Sequence, residues 1–311
     1  MNEKYKNDLY NPKLSFDSLI DSITMPKHLY KYQYFFSDNH IENIYWKENI
    51  QGAFHLSRGC EFEDTNDCKP FIDINKVCEI IESLLKKINT PKSNETIMSI
   101  KAAFQNDYIK TVESNYQKDI RIGCFTTSSN SKRMWNKYGN DSTGFCMEYN
   151  TDQNKLLKYS TLPILYTDEK YDSSVTLANQ LIIEINRKAK GRTLSEDIDV
   201  MQEIYQQILK TVYIPIFIKK TEWSFEEEYR LFLLKHRNTP IGMIKAEDEL
   251  NEHNNIDLKS EVSAIYLGEN FHLNPNYEQL KKQVTEIAVM MKIRIFQKKL
   301  IGNEYIDIPI V

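Results

Sequence analysis

Short apolar and aromatic runs recur along the whole 311-residue chain, and they limit the folds that it can adopt. Turn residues or longer helical segments separate the runs, which is typical of β-strands. The runs lie at 27–35, 51–57, 121–129, 144–149, 162–166, 228–234, 263–268, 292–300 and 304–310. The last two are close enough in sequence to form a closing hairpin. The pattern predicts an α+β fold with a central, mostly antiparallel sheet.

Helical spacing appears in two long segments between these runs. Residues 74–116 begin with apolar side chains at three- and four-residue intervals, and residues 173–212 carry serine caps with acidic first turns. A further helix is predicted through Met291, with Asn274 as its N-cap and Pro275 as its first residue. These segments predict helical inserts around the sheet.

The domain organisation follows from the absence of repeats and of a low-complexity linker. We predict a polar N-terminal segment, 1–25, followed by a single α+β domain, 26–311, with the inserts near 74–116 and 173–212. A division into two domains at the second insert is the alternative.

Composition excludes several classes of protein. Hydrophobic residues make up 41% of the chain, enough for a core, and no apolar stretch approaches a membrane span. The five cysteines are odd in number without a CxxC pair, and the histidines lack metal spacing, so no metal is predicted. The charged start lacks a signal core, so we expect a cytoplasmic protein. A net charge of −4 does not indicate nucleic-acid binding, although a local basic groove stays open.

Three stretches combine large aromatic residues with polar groups beside predicted strands: 28–35, 124–149 and 223–232. Trp135 and Trp223, two of the three tryptophans, lie in them. Aromatic side chains at strand ends often line pockets, because their rings exclude water while their polar tips form hydrogen bonds. These stretches are therefore the candidate walls of a binding site.

The segment Glu226-Glu227-Glu228 places three carboxylates before a buried strand. Strand alternation puts Glu226, Glu228 and Arg230 on one face and Glu227 on the other. One interpretation is a solvated strand edge with local ion pairs of little energetic value. The other is a functional carboxylate held by a rigid strand, in which Glu228 matters most.

Five sequence blocks combine aromatic, cysteine and charged residues. The blocks are Leu29-Tyr30-Lys31-Tyr32, Cys124-Phe125, Met134-Trp135-x-x-Tyr138-Gly139, Gly144-Phe145-Cys146-x-Glu148 and Trp223-x-x-Glu226-x-Glu228-Tyr229-Arg230. Their order and spacing, from about residue 27 to 234, resemble those of the bacterial family of unknown function numbered twenty-nine seventy-one. The chain departs from the family pattern at Gln33, where arginine is frequent, and in the loop after the second strand.

The block order is also similar to that of ADP-ribosyltransferases. In such enzymes an early aromatic and basic pair, a hydroxyl-bearing strand and a late Glu-x-Glu act together. The resemblance implies an ADP-ribosyltransferase-like or NAD-cleaving effector, plausibly of a bacterial defence or toxin system, with NAD as substrate. It implies catalytic roles for Glu228, Glu226 and Lys31, and substrate binding by Tyr30, Tyr32, Thr127, Ser128, Trp135, Tyr138, Glu148, Trp223 and Arg230. A carboxylate can stabilise the oxocarbenium-like cation formed when the nicotinamide–ribose bond breaks.

Two other functions remain open at the level of sequence. The same pocket can serve a non-enzymatic module of a defence or stress system that senses a nucleotide or a peptide. Glu148, Glu226 and Glu228 can also ligate a metal in a nuclease, because hard cations favour carboxylate oxygens. Turnover of NAD, binding without turnover and a requirement for Mg²⁺ distinguish the three.

Overall fold

A computed structural model describes residues 3–11, 14, 16–37, 39–88, 98, 114–118, 120–179, 182, 213–234, 255–257 and 262–310. The chain forms two compact units. The first comprises 1–23, 58–120 and 165–221, and the second comprises 24–57, 121–164 and 222–311. The α+β prediction is confirmed, because a large, mostly antiparallel sheet is combined with several helices.

The main sheet has nine strands, eight of which follow one path in the order β13-β12-β11-β5-β1-β4-β9-β6, with β3 beside β4. β1 pairs antiparallel with β4 and β5, and β11 pairs antiparallel with β5 but parallel with β12. The strands are β1 His28–Gln33, β3 Ser57–Arg58, β4 Ile120–Thr126, β5 Phe145–Asn150, β6 Thr161–Pro163, β9 Glu228–Leu234, β11 Val262–Leu267, β12 Arg294–Ile301 and β13 Glu304–Pro309. A separate pair joins β2 Ala53–His55 to β10 Asn255–Asp257.

The two faces of this sheet carry different side chains because successive residues alternate. One face carries an apolar core that includes Leu29, Met147 and Ile265. Helices α3 Trp46–Ile50 and α7 Tyr277–Met291 pack against it through Trp46, Ile50, Leu280, Val284 and Ala288. The opposite face carries Tyr32, Cys146 and Tyr266, and helix α5 Lys132–Lys137 covers it through Met134 and Trp135.

The remaining helices are shorter or belong to the first unit. Helix α6 Lys155–Ser160 lies in the second unit. In the first unit, α1 Glu3–Tyr10, α2 Phe16–Asp21 and α4 Ile74–Ile88 accompany a small parallel pair, β7 Leu165–Tyr166 and β8 Ile218–Lys219. Helices α1 and α2 lie within the polar segment predicted at 1–25, and each buries one leucine completely, Leu9 and Leu19.

Three predictions of element bounds are wrong. The run 51–57 is predicted as one strand, but it divides between β2 and β3, which belong to different sheets. The run 162–166 was expected to be one strand, but it divides between β6 and β7, and the amide of Ile164 donates instead to the carbonyl of Glu228. The N-cap of α7 is Asn276 in a left-handed conformation, and not Asn274. The Asn274 amide donates to the carbonyls of Thr143 and Phe271, so tertiary contacts occupy the residue that was expected to cap the helix.

The helical inserts lie partly outside the described residues. Residues 74–88, 114–118 and 174–179 are helical, while most of the remaining residues of 74–116 and 173–212 are not described. The extent of the inserts and the single-domain boundary at 26–311 stay predictions. Among the described residues, no helix is long and apolar enough to cross a membrane.

Candidate functional site

An open cavity of about 520 Å³ lies in the second unit, lined by Arg133, Asn136, Lys137, Glu222, Trp223 and Phe225. The first three residues belong to α5, and the other three belong to the 3-10 helix Thr221–Glu226. The Ser131 hydroxyl caps α5 by accepting from the amide of Met134. The volume lies in the range of ordinary small-ligand sites.

Cations from α5 lie over the aromatic rings of the facing 3-10 helix. The Arg133 guanidinium is 3.7 Å from the centroid of the Phe225 ring, and the Lys137 Nζ is 4.6 Å from the centroid of the Trp223 ring. The two rings are 6.2 Å apart. Arg133 and Lys137 are four residues apart and therefore share one helix face. The cavity thus presents two cation–aromatic pairs side by side.

The first two glutamates of the segment Glu226-Glu227-Glu228 have different hydrogen-bond partners. Glu226 is buried, and its carboxylate accepts a hydrogen bond of 2.5 Å from the Tyr138 hydroxyl. Burial raises the pKa of Tyr138, and the adjacent Glu226 charge raises it further. Glu227 is exposed, has a positive φ of 44°, and accepts a hydrogen bond from Thr127. The left-handed residue ends the 3-10 helix and redirects the chain into β9, so regular alternation begins only at Glu228.

Glu228 forms a buried ion pair within β9. Its carboxylate accepts from the Nε and Nη2 of Arg230 at 2.6 and 3.1 Å, while the two residues are only 4% and 0% exposed. Burial raises the pKa of the neighbouring Cys124 thiol, and the Glu228 charge adds to this effect. Lys31 donates to the Cys124 carbonyl at 3.2 Å, and burial lowers the pKa of its amino group. This geometry is that of an internal charge pair that stabilises the sheet.

Glu148 is the centre of a second polar group on the sheet face. Its carboxylate accepts from Ser263 and Tyr266, both at 2.7 Å, from Arg294 at 3.2 Å and from Tyr30 at 3.3 Å. Burial opposes ionisation, but the hydrogen bonds from Ser263 and Tyr266 and the nearby positive charges outweigh it, so the pKa of Glu148 is lowered. The side chain is therefore held as a carboxylate.

We expect Glu148 to make stability depend on acidity. Because folding lowers its pKa, the stabilisation is complete above the ordinary glutamate pKa of about 4.3 and is lost as the pH falls through the folded value. Thermal melting from neutral pH downwards should show Glu148→Gln well below wild type at neutral pH, with the difference narrowing in acid. A difference that stays constant with pH would contradict this assignment.

The structure places the sequence-predicted residues in several environments. Trp223 lines the cavity, and Tyr138 and Glu226 lie beside it. Trp135 and Tyr32 are buried instead, with the Trp135 indole donating to the Ser129 carbonyl and the Tyr32 hydroxyl donating to the Ser128 carbonyl. Tyr30 and Glu148 meet on the sheet face, and Arg230 pairs with Glu228. The sequence predicts that Tyr30 or Lys31, Trp135 or Tyr138, and Glu228 share one cleft. Burial lowers the pKa of Lys31 and raises that of Tyr138, and the Glu228 charge contributes to both values, so these three groups lie near one another. That they line one cleft stays a prediction.

Sequence reasoning missed the cationic half of the cavity. Arg133 and Lys137 flank the Met134-Trp135 block four residues apart, a spacing that already indicated one helix face. Ser263, Tyr266 and Arg294 had no such signal, because they reach Glu148 only through strand pairing. No group of three or more histidine, cysteine or acidic side chains suited to a metal ion occurs in the part of the chain that the structure describes.

Comparison with known proteins finds one family match, and it covers all the residues that line the cavity except Arg133. Residues 134–231 match the model of the family described as "Protein of unknown function (DUF2971)". The match supports the family resemblance predicted from the sequence, over these residues. No curated protein and no solved structure matches the chain. The DUF2971 segment contains Lys137, Trp223 and Phe225, the Tyr138–Glu226 hydrogen bond and the Glu228–Arg230 pair. It carries no assigned activity, and the similarity to ADP-ribosyltransferases stays a prediction.

Proposed function

We propose that the protein is a nucleotide-binding module whose site is the cavity between α5 and the 3-10 helix Thr221–Glu226. The observation that carries the proposal is the pair of cation–aromatic contacts, Arg133 on Phe225 and Lys137 on Trp223. Nucleotides combine planar bases with phosphate charges. Aromatic rings can stack on the bases, while guanidinium and ammonium groups pair with the phosphates.

Burial of the predicted catalytic glutamates favours binding over cleavage. Glu228 is 4% exposed and Glu226 is 3% exposed, and their carboxylates contact Arg230 and Tyr138. A carboxylate that stabilises a ribosyl cation must approach the sugar closely. A ligand in the cavity would instead meet the exposed side chains of Glu222 and Lys137. We therefore propose sensing of a nucleotide without turnover.

NAD cleavage is the second candidate, and it depends on the ionisation of Glu148, because this carboxylate is only 4% exposed, like Glu228. This carboxylate has a lowered pKa and accepts hydrogen bonds from two tyrosine hydroxyls, Tyr30 and Tyr266. An ionised carboxylate among fixed donors is the type of group that stabilises a developing positive charge. A role in bacterial defence or as a toxin belongs to this candidate and is tested by growth of expressing cells.

Tryptophan fluorescence offers a direct test of nucleotide binding. Trp46 and Trp135 are fully buried, whereas Trp223 is partly exposed in the cavity, so a ligand there should quench Trp223 selectively. Titration with NAD, ATP and GTP should give saturable quenching in wild type and none in Trp223→Phe. Parallel assay for free nicotinamide separates binding from cleavage. Absence of both quenching and calorimetric heat for all three nucleotides would contradict the proposal.

A further inference from the structure

The lining of the cavity is more exposed than that of an enclosed small-molecule site. Arg133, Asn136, Lys137 and Glu222 are all exposed, and Trp223 and Phe225 are partly exposed. Pockets for small ligands usually bury 70–90% of the ligand surface. A single nucleotide would leave much of its surface in water at this position. A longer ligand that continues beyond the cavity would make additional contacts.

The charges around the cavity suit a chain of phosphates. Lys132, Arg133 and Lys137 lie on α5 and are exposed. Among the described residues that line the cavity, Glu222 is the one with an acidic side chain. Arg133 and Lys137 are separated by four helical residues, or about 6 Å along the axis. Along a stacked strand the phosphates advance about 3.4 Å per nucleotide along the helix axis, and they advance farther when the bases unstack. The two cations can therefore reach neighbouring phosphates of an unstacked strand.

The aromatic residues suit bases that are not paired. The Trp223 and Phe225 rings are 6.2 Å apart and inclined by 31°, and both belong to one short 3-10 helix. Proteins that bind single strands stack successive bases on such rings while a basic surface follows the backbone. Bases within a duplex are stacked on each other and cannot reach these rings. The positive charges and the ring geometry thus both indicate a single-stranded nucleic acid as the ligand.

We propose that the cavity binds single-stranded nucleic acid, with Trp223 and Phe225 stacking on bases and Lys132, Arg133 and Lys137 contacting phosphates. This inference rests on the proposed nucleotide site and specifies its ligand. The overall charge of −4 does not oppose it, because the contacts are local to α5. If all three cations contact phosphates, the logarithm of affinity should fall with the logarithm of salt concentration with a slope of about −2.

Fluorescence anisotropy with labelled oligothymidine and oligoadenine, as DNA and RNA, tests the inference. We expect the oligonucleotides to bind, and we expect mononucleotides and NAD to displace them only weakly. Trp223→Ala should weaken binding about 5- to 150-fold, the usual range for losing one base stack. Lys137→Ala should reduce the salt slope by about 0.7. Lys281→Ala is the matched control, because Lys281 also lies over an aromatic ring, Tyr277, but outside the cavity, and it should change neither quantity.

The outcomes separate this inference from the proposed function. If mononucleotides bind as tightly as oligonucleotides and this binding depends on Trp223, the inference of a polymeric ligand is wrong. The proposed nucleotide site is then unaffected. Equal binding of duplex and single strands, unaffected by Trp223→Ala, overturns base stacking and indicates non-specific charge attraction. If neither class binds to folded protein, both proposals fail.

Discussion

Replacing Glu228 with Gln is expected to lower the free energy of unfolding by about 3–5 kcal/mol. Arg230 is completely buried, and its guanidinium donates two hydrogen bonds to the Glu228 carboxylate. Removing the carboxylate charge takes away the acceptor of both ionic hydrogen bonds, and the buried guanidinium loses this counter-charge. Urea unfolding followed by circular dichroism measures the loss. Any test of Glu228 in function must therefore first establish the folded fraction of the variant.

Glu227→Gln is the control for this variant. It makes the same chemical change one residue earlier, but Glu227 is exposed, so its stability should change by about 0.5 kcal/mol or less. The double variant Glu228→Met with Arg230→Met should recover much of the lost stability, because apolar residues of similar volume often replace a buried pair without cost. If Glu228→Gln is as stable as wild type, the pair is not the internal bond that we describe.

Gly144→Ala is expected to reduce the free energy of unfolding by about 3 kcal/mol, at the upper end for an overpacked interior. A Cβ at this position would overlap the Gln33 carbonyl oxygen and would lie 2.9 Å from the Gly139 carbonyl oxygen and 3.0 Å from the Tyr34 Cα. All three neighbours are backbone atoms, which cannot rotate away as a flexible side chain can. The end of β1 and the turn before β5 would have to separate. Thermal and urea unfolding measure the effect.

Gly302→Ala is the matched control for Gly144→Ala. Gly302 has a φ of 64° in the turn between β12 and β13, and a Cβ there meets nothing within 4 Å. Only the left-handed backbone opposes alanine, at a cost of about 1–2 kcal/mol. A larger loss at Gly302 than at Gly144 would contradict the close-approach explanation.

Much of the fold was accessible from the sequence because its signals are local. Alternating or continuous apolar runs predicted β1, β4, β5, β9 and β11. Helical spacing predicted α4, and the Asn274-Pro275 pair predicted a helix at α7. The prediction of one strand at 162–166 is wrong because this single apolar run contributes strands to two sheets. No local sequence pattern marks the division. The prediction of Asn274 as the cap is wrong because its side-chain amide donates to the carbonyl of Thr143, a partner that only tertiary packing brings close.

Only part of the candidate site could be predicted from the sequence. The tryptophan blocks drew attention to Trp135 and Trp223 together, but the structure buries the first and leaves the second in the cavity. The difference depends on which face of α5 meets the sheet, and Met134 and Trp135 occupy that face. Arg133 and Lys137 are left to meet Trp223 and Phe225 across the cavity.

The sequence by itself determined the α+β class, most of the strands and the family resemblance of residues 134–231. Periodicity and motif spacing are properties of neighbouring residues, so they can be read without a structure. Only the tertiary structure decided which carboxylates are internal. Glu228 can be buried because its partner Arg230 lies two residues later in β9. Glu148 can be buried because the neighbouring strands β1, β11 and β12 bring its partners to β5. These partners are Tyr30, Ser263, Tyr266 and Arg294. Desolvating a charge is tolerated only where such partners converge, and that convergence depends on strand pairing across distant parts of the chain.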